Sequence, residues 1–512
     1  MDSAEEGRPQ GSETRARADT AGGSDFLQLD PDQAPPGRRT EWLTARIRAA
    51  IADGTLPLGS RLPPSRVLAA ELGVTRGLVT EAYQRLADAG QVQGSGRAGT
   101  RVVAAPLPPA APMRPPAAKD ASGASPAGTA GTAGPFGPGA GGALVDALRA
   151  VPCRIDLSPG VPDLTAFPRT AWLRAERHVL AGLTPADFGY GDPQGAPALR
   201  AAVCGWLARN RGIRADPGEV VIVAGVAQAL GLVAHVLRGR GLRRIAVEDP
   251  GSLGARQQLE YGRLETVPVP VDEGGLDTAA LRASGARAVL LTPAHQFPTG
   301  VVLDGERRRE LLGWAAAGGL VVEDDYDAEH RYDRAPVPAL RALLPEGVCH
   351  AGSVSKLLAP ALRLGWLLVP PRMLDEVVAA KRYADLGNPV LAQLVLARLM
   401  DSGELERHLR FVRRRHRRRR DAMLRAIAAH LTGARVHGAA AGLHLVVTFD
   451  GADFEDTALA AAALALGVKA HPLSWHRIRP GAPGLVLGYA AGPPGELAEG
   501  VALLGRALSR LR

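Results

Sequence analysis

The chain has 512 residues, 46% of them apolar, and a formal net charge of +9 at neutral pH. That length exceeds one ordinary domain and is enough for two or three cores. No run of about 18 apolar residues occurs, so no membrane span is expected, and the positive balance suits a polyanionic partner without specifying one. The opening MDSAEEGRPQGSETRARADTAGG is polar and lacks the apolar centre of a secretory leader. Cys153, Cys204 and Cys349 lie far apart with no metal-ligand spacing. With no leader, they point to a reducing cytoplasm, no disulfide framework and no metal site.

Residues 1–25 read as a disordered tail. Residues 26–103 form a compact block. Within it TEWLTARIRAAIADG sets Leu43, Ile47, Ala50 and Ile51 on one helical face. LPPSRVLAAELGVTRGLVTEAYQRLADAG follows as a helix, a tight turn at Gly73 and Val74, and a second helix from near Thr75. Val79, Ala82, Tyr83 and Leu86 make the buried stripe of that second helix, and Arg76, Gly77 and Thr80 fall on its other side. QVQGSGRAGTRVV reads as a β-wing with glycines at its tip. A helix-turn-helix presents the start of its second helix to the major groove of double-stranded DNA, where basic and hydroxyl side chains reach phosphates and base edges. Arg66, Thr75, Arg76, Gly77 and Thr80 are the candidate DNA contacts. A helical hairpin with exposed arginines is the competing reading; turn, wing and charge together favour DNA binding.

From 104 to 153 the chain is rich in Pro, Ala, Gly, Ser and Thr and reads as a linker, stiffer in its proline-rich first half. From 154 to 512 short apolar runs such as EVVIVAG, RRIAVED, RAVLLTP, GLVVEDD and GVCHAGSVSK alternate with helical segments. That alternation predicts an α/β body with a mostly parallel sheet covered by helices.

The segment GSVSKLLAPALRLGW holds Lys356, one of only four lysines beside 57 arginines. Salt bridges and phosphate contacts are served as well or better by arginine. Condensation with an aldehyde needs a primary amine, which guanidinium is not. Lys119, Lys381 and Lys469 show that stray lysines occur, so the neighbours must decide. VVEDDYDAEHRYD places Asp324 and Tyr326 at the end of a predicted strand, where ligands of open α/β sheets collect. Arg363 follows seven residues after Lys356, and GVAQAL after a strand opens a helix whose first N–H groups could receive phosphate. Lysine, acid, phenol, arginine and phosphate-binding turn together meet the requirements of pyridoxal 5'-phosphate (PLP).

LPPSR, LAAELGVTRGLVTEAYQRLADAGQV and GSGRAGTRV closely resemble the winged helix of GntR-type transcriptional regulators. LSPGVPDLTAFP, FGYGDPQGAPALR, VEDPGSLGAR, LTPAHQFPTGVVL, VEDDYDAEHRY and GSVSKLLAPALRLGW resemble a fold-type I aminotransferase of class I/II. A GntR head tethered to such a body is the pattern of the MocR subfamily. The resemblance implies a fold-type I body with a small C-terminal α/β subdomain from about residue 400. It also implies an internal aldimine on Lys356, a pyridine-nitrogen partner at Asp324, a ring-hydroxyl contact at Tyr326 and a phosphate contact at Arg363. Val226, Ala227 and Gln228 would hold the phosphate as well, and Tyr190 would reach the cofactor of a neighbouring subunit in a homodimer.

In the body the chain departs from the family pattern at three places. Ser252 stands where relatives carry an aromatic residue over the ring, and Val486 where aminotransferases place an arginine for the substrate carboxylate. Phe297 replaces the usual asparagine before Pro298, leaving His295 or Gln296 as substitutes. The expectation is a regulator that binds operator DNA and senses PLP, or an amine or amino compound, in its body. An active aminotransferase with an autoregulatory head is the alternative. The basic run RHLRFVRRRHRRRR, residues 407–420, reads as a salt-bridged or solvated helix face ahead of a DNA contact.

Overall fold

A computed structural model describes residues 27, 29–35, 37–94, 99–103, 136, 144–332 and 338–512. The expected tail, most of the linker and the wing tip at 95–98 lie outside the described residues. The chain divides into two compact units, Met1–Ala124 and Ser125–Arg512. Among the described residues no helix is long and apolar enough to cross a membrane.

The head comprises α1 (Arg39–Ala52), α2 (Ser65–Glu71) and α3 (Arg76–Asp88), then β1 (Val92–Gly94) and β2 (Thr100–Val102). Leu43, Ile47, Ala50 and Ile51 of α1 are buried against Val79, Ala82, Tyr83 and Leu86 of α3, the two stripes that the periodicity predicts. Gly73 turns the chain at φ +61°, a left-handed conformation that favours glycine. Thr75 caps α3 by accepting the Leu78 N–H at 3.4 Å. The Tyr83 hydroxyl donates to the Pro63 carbonyl at 2.8 Å and ties α3 to the segment before α2. β1 and β2 pair antiparallel, Val92 opposite Val102, as the two legs of the wing.

The body is built on β3 (Ile155–Asp156), β4 (Val220–Val223), β5 (Arg244–Asp249), β6 (Glu265–Asp272), β7 (Gly275–Leu276), β8 (Ala288–Leu291), β9 (Leu320–Asp325), β10 (Val348–Ser353) and β11 (Gly365–Leu368). Eight of these form one sheet in the order β4-β11-β10-β9-β8-β5-β6-β7. The pairs from β10 through β9, β8 and β5 to β6 are parallel, and β11 runs antiparallel to both β10 and β4. Every residue of β4, β8, β9, β10 and β11 is buried, the pattern of strands covered on both faces. The segment after β10 carries Lys356, and the acidic end of β9 carries Asp324.

A second core follows the long helix Glu404–His430. Its sheet takes β12 (Arg435–His437), β13 (His444–Thr448), β16 (Gly484–Gly488) and β15 (His471–Pro472) in that order. β14 (Val468–Lys469) instead pairs with β3, so the start of the body joins its C-terminal layer. Residues Leu144–Ala150, inside the expected linker of 104–153, form a helix with Leu148 buried beside Leu253 and Trp475. The linker reading fails there because LVDALRA is amphipathic and finds an apolar surface, which composition does not reveal.

Candidate functional site

Lys356 lies in the turn directly after β10, half-buried, and its ammonium donates to the Gly160 carbonyl. Burial lowers its pKa, against the opposing influence of Asp327 and Asp324. A Cβ on Gly160, which sits at φ +77°, would come within 3.2 Å of that nitrogen, so the close approach of backbone to amine needs glycine. From behind, His330 Nε2 lies 3.1 Å from the Lys356 carbonyl and His408 Nε2 3.1 Å from the Leu357 carbonyl. The lysine turn is thereby held on its backbone as well as by its packing.

Asp324 is buried, and its Oδ1 has no hydrogen-bond partner within the described residues. Burial, reinforced by the charges of Asp325 and Asp327, pushes its pKa up to about 7. A buried carboxylate oxygen with an open acceptor position is what a protonated ring nitrogen requires. Tyr326 presents its hydroxyl 2.9 Å from His295 Nδ1, which also lies 2.9 Å from Asp327 Oδ2. Burial, then the negative charges of Asp327 and Asp324, keep this phenol protonated.

At the other end, Gly225 turns at φ +83° into the helix Val226–Gly239. Arg363 donates to the Ala224 carbonyl, and a Cβ on Gly225 would meet its guanidinium at 3.3 Å. The Val226 and Ala227 N–H groups head that helix, where backbone donors and the helix dipole favour an anion. Gln228 accepts the Ala224 N–H at 2.7 Å and donates to Asp385 at 2.7 Å, so its side chain braces this turn. Tyr190 is 97% exposed in the single chain, away from this cluster.

Gln296 is already engaged: its amide donates to the Pro250 and Phe297 carbonyls, and its oxygen accepts from Thr299. His295 is the residue that reaches the Tyr326 hydroxyl. Ser252, in place of an aromatic ring, caps the helix Leu253–Tyr261 by accepting the Ala255 N–H at 3.3 Å. Val486 is fully buried in a cluster with Val446 and Leu473, with Phe297 packed against it. Asp327, His330 and Gly160 were not singled out from sequence. Asp327 adjoins Tyr326 in EDDYD and could have been found there, whereas nothing local marks the other two.

In the head, Arg66, Thr75, Arg76, Gly77 and Thr80 are all exposed. Leu78 is half-buried against the head's core. The arginine run is largely committed within the body. Arg415 and Arg419 reach Asp163 at 2.7 and 2.8 Å, Arg413 donates to the Glu329 carbonyl, and Arg420 lies over the Tyr332 ring at 4.9 Å.

The residues present therefore fit PLP: an amine for its aldehyde carbon, an open buried carboxylate for its ring nitrogen, a phenol, and a cationic turn for its phosphate. Comparison with known proteins agrees. Residues 154–499 match the family of aminotransferases of class I and II, and residues 40–102 the bacterial regulatory proteins of the gntR family. The probable rhizopine catabolism regulatory protein MocR of Rhizobium meliloti is 33% identical across 93% of this chain and 94% of its own length. The pyridoxine biosynthesis transcriptional regulator PdxR of Corynebacterium glutamicum is 32% identical over 80% of this chain and 83% of its own. Among solved structures, the α-aminoadipate aminotransferase LysN of Thermus thermophilus, complexed with N-(5'-phosphopyridoxyl)-L-leucine, covers 70% of this chain and 92% of its own. It does so at 31% identity and a TM-score of 0.64. The class I and II match and this phosphopyridoxyl-bound neighbour imply PLP dependence.

Proposed function

The chain belongs to the MocR-type regulators, a GntR winged helix joined to an aminotransferase class I and II domain, and from that premise we propose that its body is a PLP-loaded sensor controlling operator binding by its head. The observation that carries the sensor reading is the open Oδ1 of buried Asp324 in the same site as the half-buried amine of Lys356. When bound, PLP supplies an electrophilic carbon and an electron-withdrawing ring. Burial keeps more of the Lys356 amine in its neutral, nucleophilic form. Asp324 holds a proton on the ring nitrogen, and Tyr326, oriented by His295 and Asp327, donates to the ring hydroxyl. Arg363 and the Val226 and Ala227 N–H groups hold the phosphate.

In the head, Arg66, Thr75, Arg76, Gly77 and Thr80 contact operator DNA. By its resemblance to the aminotransferases the body forms a homodimer in which Tyr190 reaches the partner's site, and two heads then read repeated half-sites. Occupancy regulates DNA binding if PLP, or an amine or amino compound joined to it, favours one dimer arrangement over another. Efficient transamination of ordinary amino acids is disfavoured by Val486, which cannot pair with a carboxylate. Mobility shifts on operator DNA with and without PLP, for the parent chain and Lys356→Ala, test the proposal. We expect the variant to lose the near-visible PLP absorbance and borohydride trapping while retaining DNA binding that PLP no longer alters. Identical DNA binding by the parent with and without PLP overturns sensing.

A further inference from the structure

Val486 lies at the middle of β16, facing Val446 on one neighbouring strand and His471 on the other. Its side chain has no access to solvent, and Phe297 packs over the cluster it forms with Val446 and Leu473. Phe297 is half-buried, and its ring stands edge-on to Tyr326 with centroids 5.9 Å apart. His444 and His476 flank the same ring at 4.9 and 5.1 Å, both kept neutral chiefly by burial. The wall beside Tyr326 is thus the Phe297 ring and neutral imidazoles, backed by the buried Val486 cluster.

Acidic side chains stand on that side, two of them, Asp324 and Glu248, pushed up to about 7 chiefly by burial. Asp327, Asp324 and Glu248 are the charged groups acting most strongly on Tyr326. Arg363 is turned to the Ala224 carbonyl, and Arg149, which also acts on Lys356, pairs with Asp146 at 2.6 Å. A carboxylate brought to the wall by an amino acid would be desolvated against apolar groups and repelled by neighbouring acids.

We propose, resting on the PLP-sensor reading, that the body's ligand is a primary amine with no carboxylate on the amine-bearing carbon and with an apolar arm that packs on Phe297. The amine takes the place of the Lys356 nitrogen on the PLP aldehyde carbon. One carbon–nitrogen double bond forms as another breaks; the two protons that the incoming ammonium loses end on the Lys356 nitrogen, which leaves as an ammonium, while the new imine keeps the third. No oxidant or further reactant is needed.

The test uses the full-length, PLP-loaded protein titrated with phenethylamine and with L-phenylalanine, which differ only in the carboxylate. PLP absorbance is followed in one arm and operator affinity in the other. Phenethylamine is expected to change both at concentrations about tenfold or more below those of L-phenylalanine. Val486→Arg is expected to narrow or reverse that preference. Its folding is checked by retained PLP absorbance, and the parent comparison stands without it. Equal or tighter action of L-phenylalanine on a protein that does absorb overturns the inference alone, as does silence toward both compounds. Absence of PLP absorbance and of borohydride trapping on Lys356 overturns the sensor reading and the inference with it.

Discussion

Asp324 is a buried carboxyl with like charges beside it and no hydrogen bond to its Oδ1 among the described residues. Its pKa of about 7 in the fold exceeds the ordinary value near 3.9. A raised carboxyl stabilises the fold while protonated, and that contribution is lost as pH rises through about 7. Without PLP, Asp324→Asn should therefore lose less stability than the parent between about pH 5 and pH 8, a difference of about 1–4 kcal/mol in denaturant titrations. Glu248, also pushed up to about 7 by burial, leaves part of the slope in place. In the proposed site the ionised acid is the form that would pair with the ring nitrogen. The same variant should bind PLP about 10–100-fold more weakly by absorbance titration, the cost of a charge-assisted hydrogen bond.

Two helices carry more than their local pattern announces. α3 buries one stripe and leaves Arg76 at its exposed start. Arg76→Ala should weaken operator binding and lower the slope of log affinity against log salt by about one if its partner is a phosphate. A base contact would instead relax specificity at one position. The helix Glu404–His430 reads as a cationic rod, yet it is an anchoring element: Arg415 and Arg419 converge on buried Asp163. Asp163→Ala removes the shared counter-charge, and a cost of about 3 kcal/mol in thermal or denaturant unfolding is expected.

The whole molecule works as proposed only in pairs. Tyr190 is 97% exposed in the single chain, and the proposed homodimer would cover it. Hydroxyl-radical labelling of Tyr190 should fall as protein concentration rises through the dimerisation range observed by sedimentation. Tyr190→Ala should leave the fold intact and reduce PLP affinity. Labelling that is independent of assembly would remove Tyr190 from the interface.

The secondary structure of both units was legible because it rests on short-range periodicity. Period 3.6 marked Leu43 to Ile51 and Val79 to Leu86, and continuous apolar runs marked β4, β5, β8, β9 and β10. Lys356 stood out by chemistry, as an amine in a chain that otherwise writes arginine. Only tertiary structure could show that the Gln296 amide reaches the Pro250 carbonyl and that His295 meets Tyr326. The same holds for the helix Leu144–Ala150, which composition assigned to a linker. Each of these depends on which distant segments pack together, and a hydrogen bond or buried charge has no signature until both partners are placed. Local pattern determined which elements form and which residue types they carry; long-range packing decided which of those groups face the site and which are already engaged.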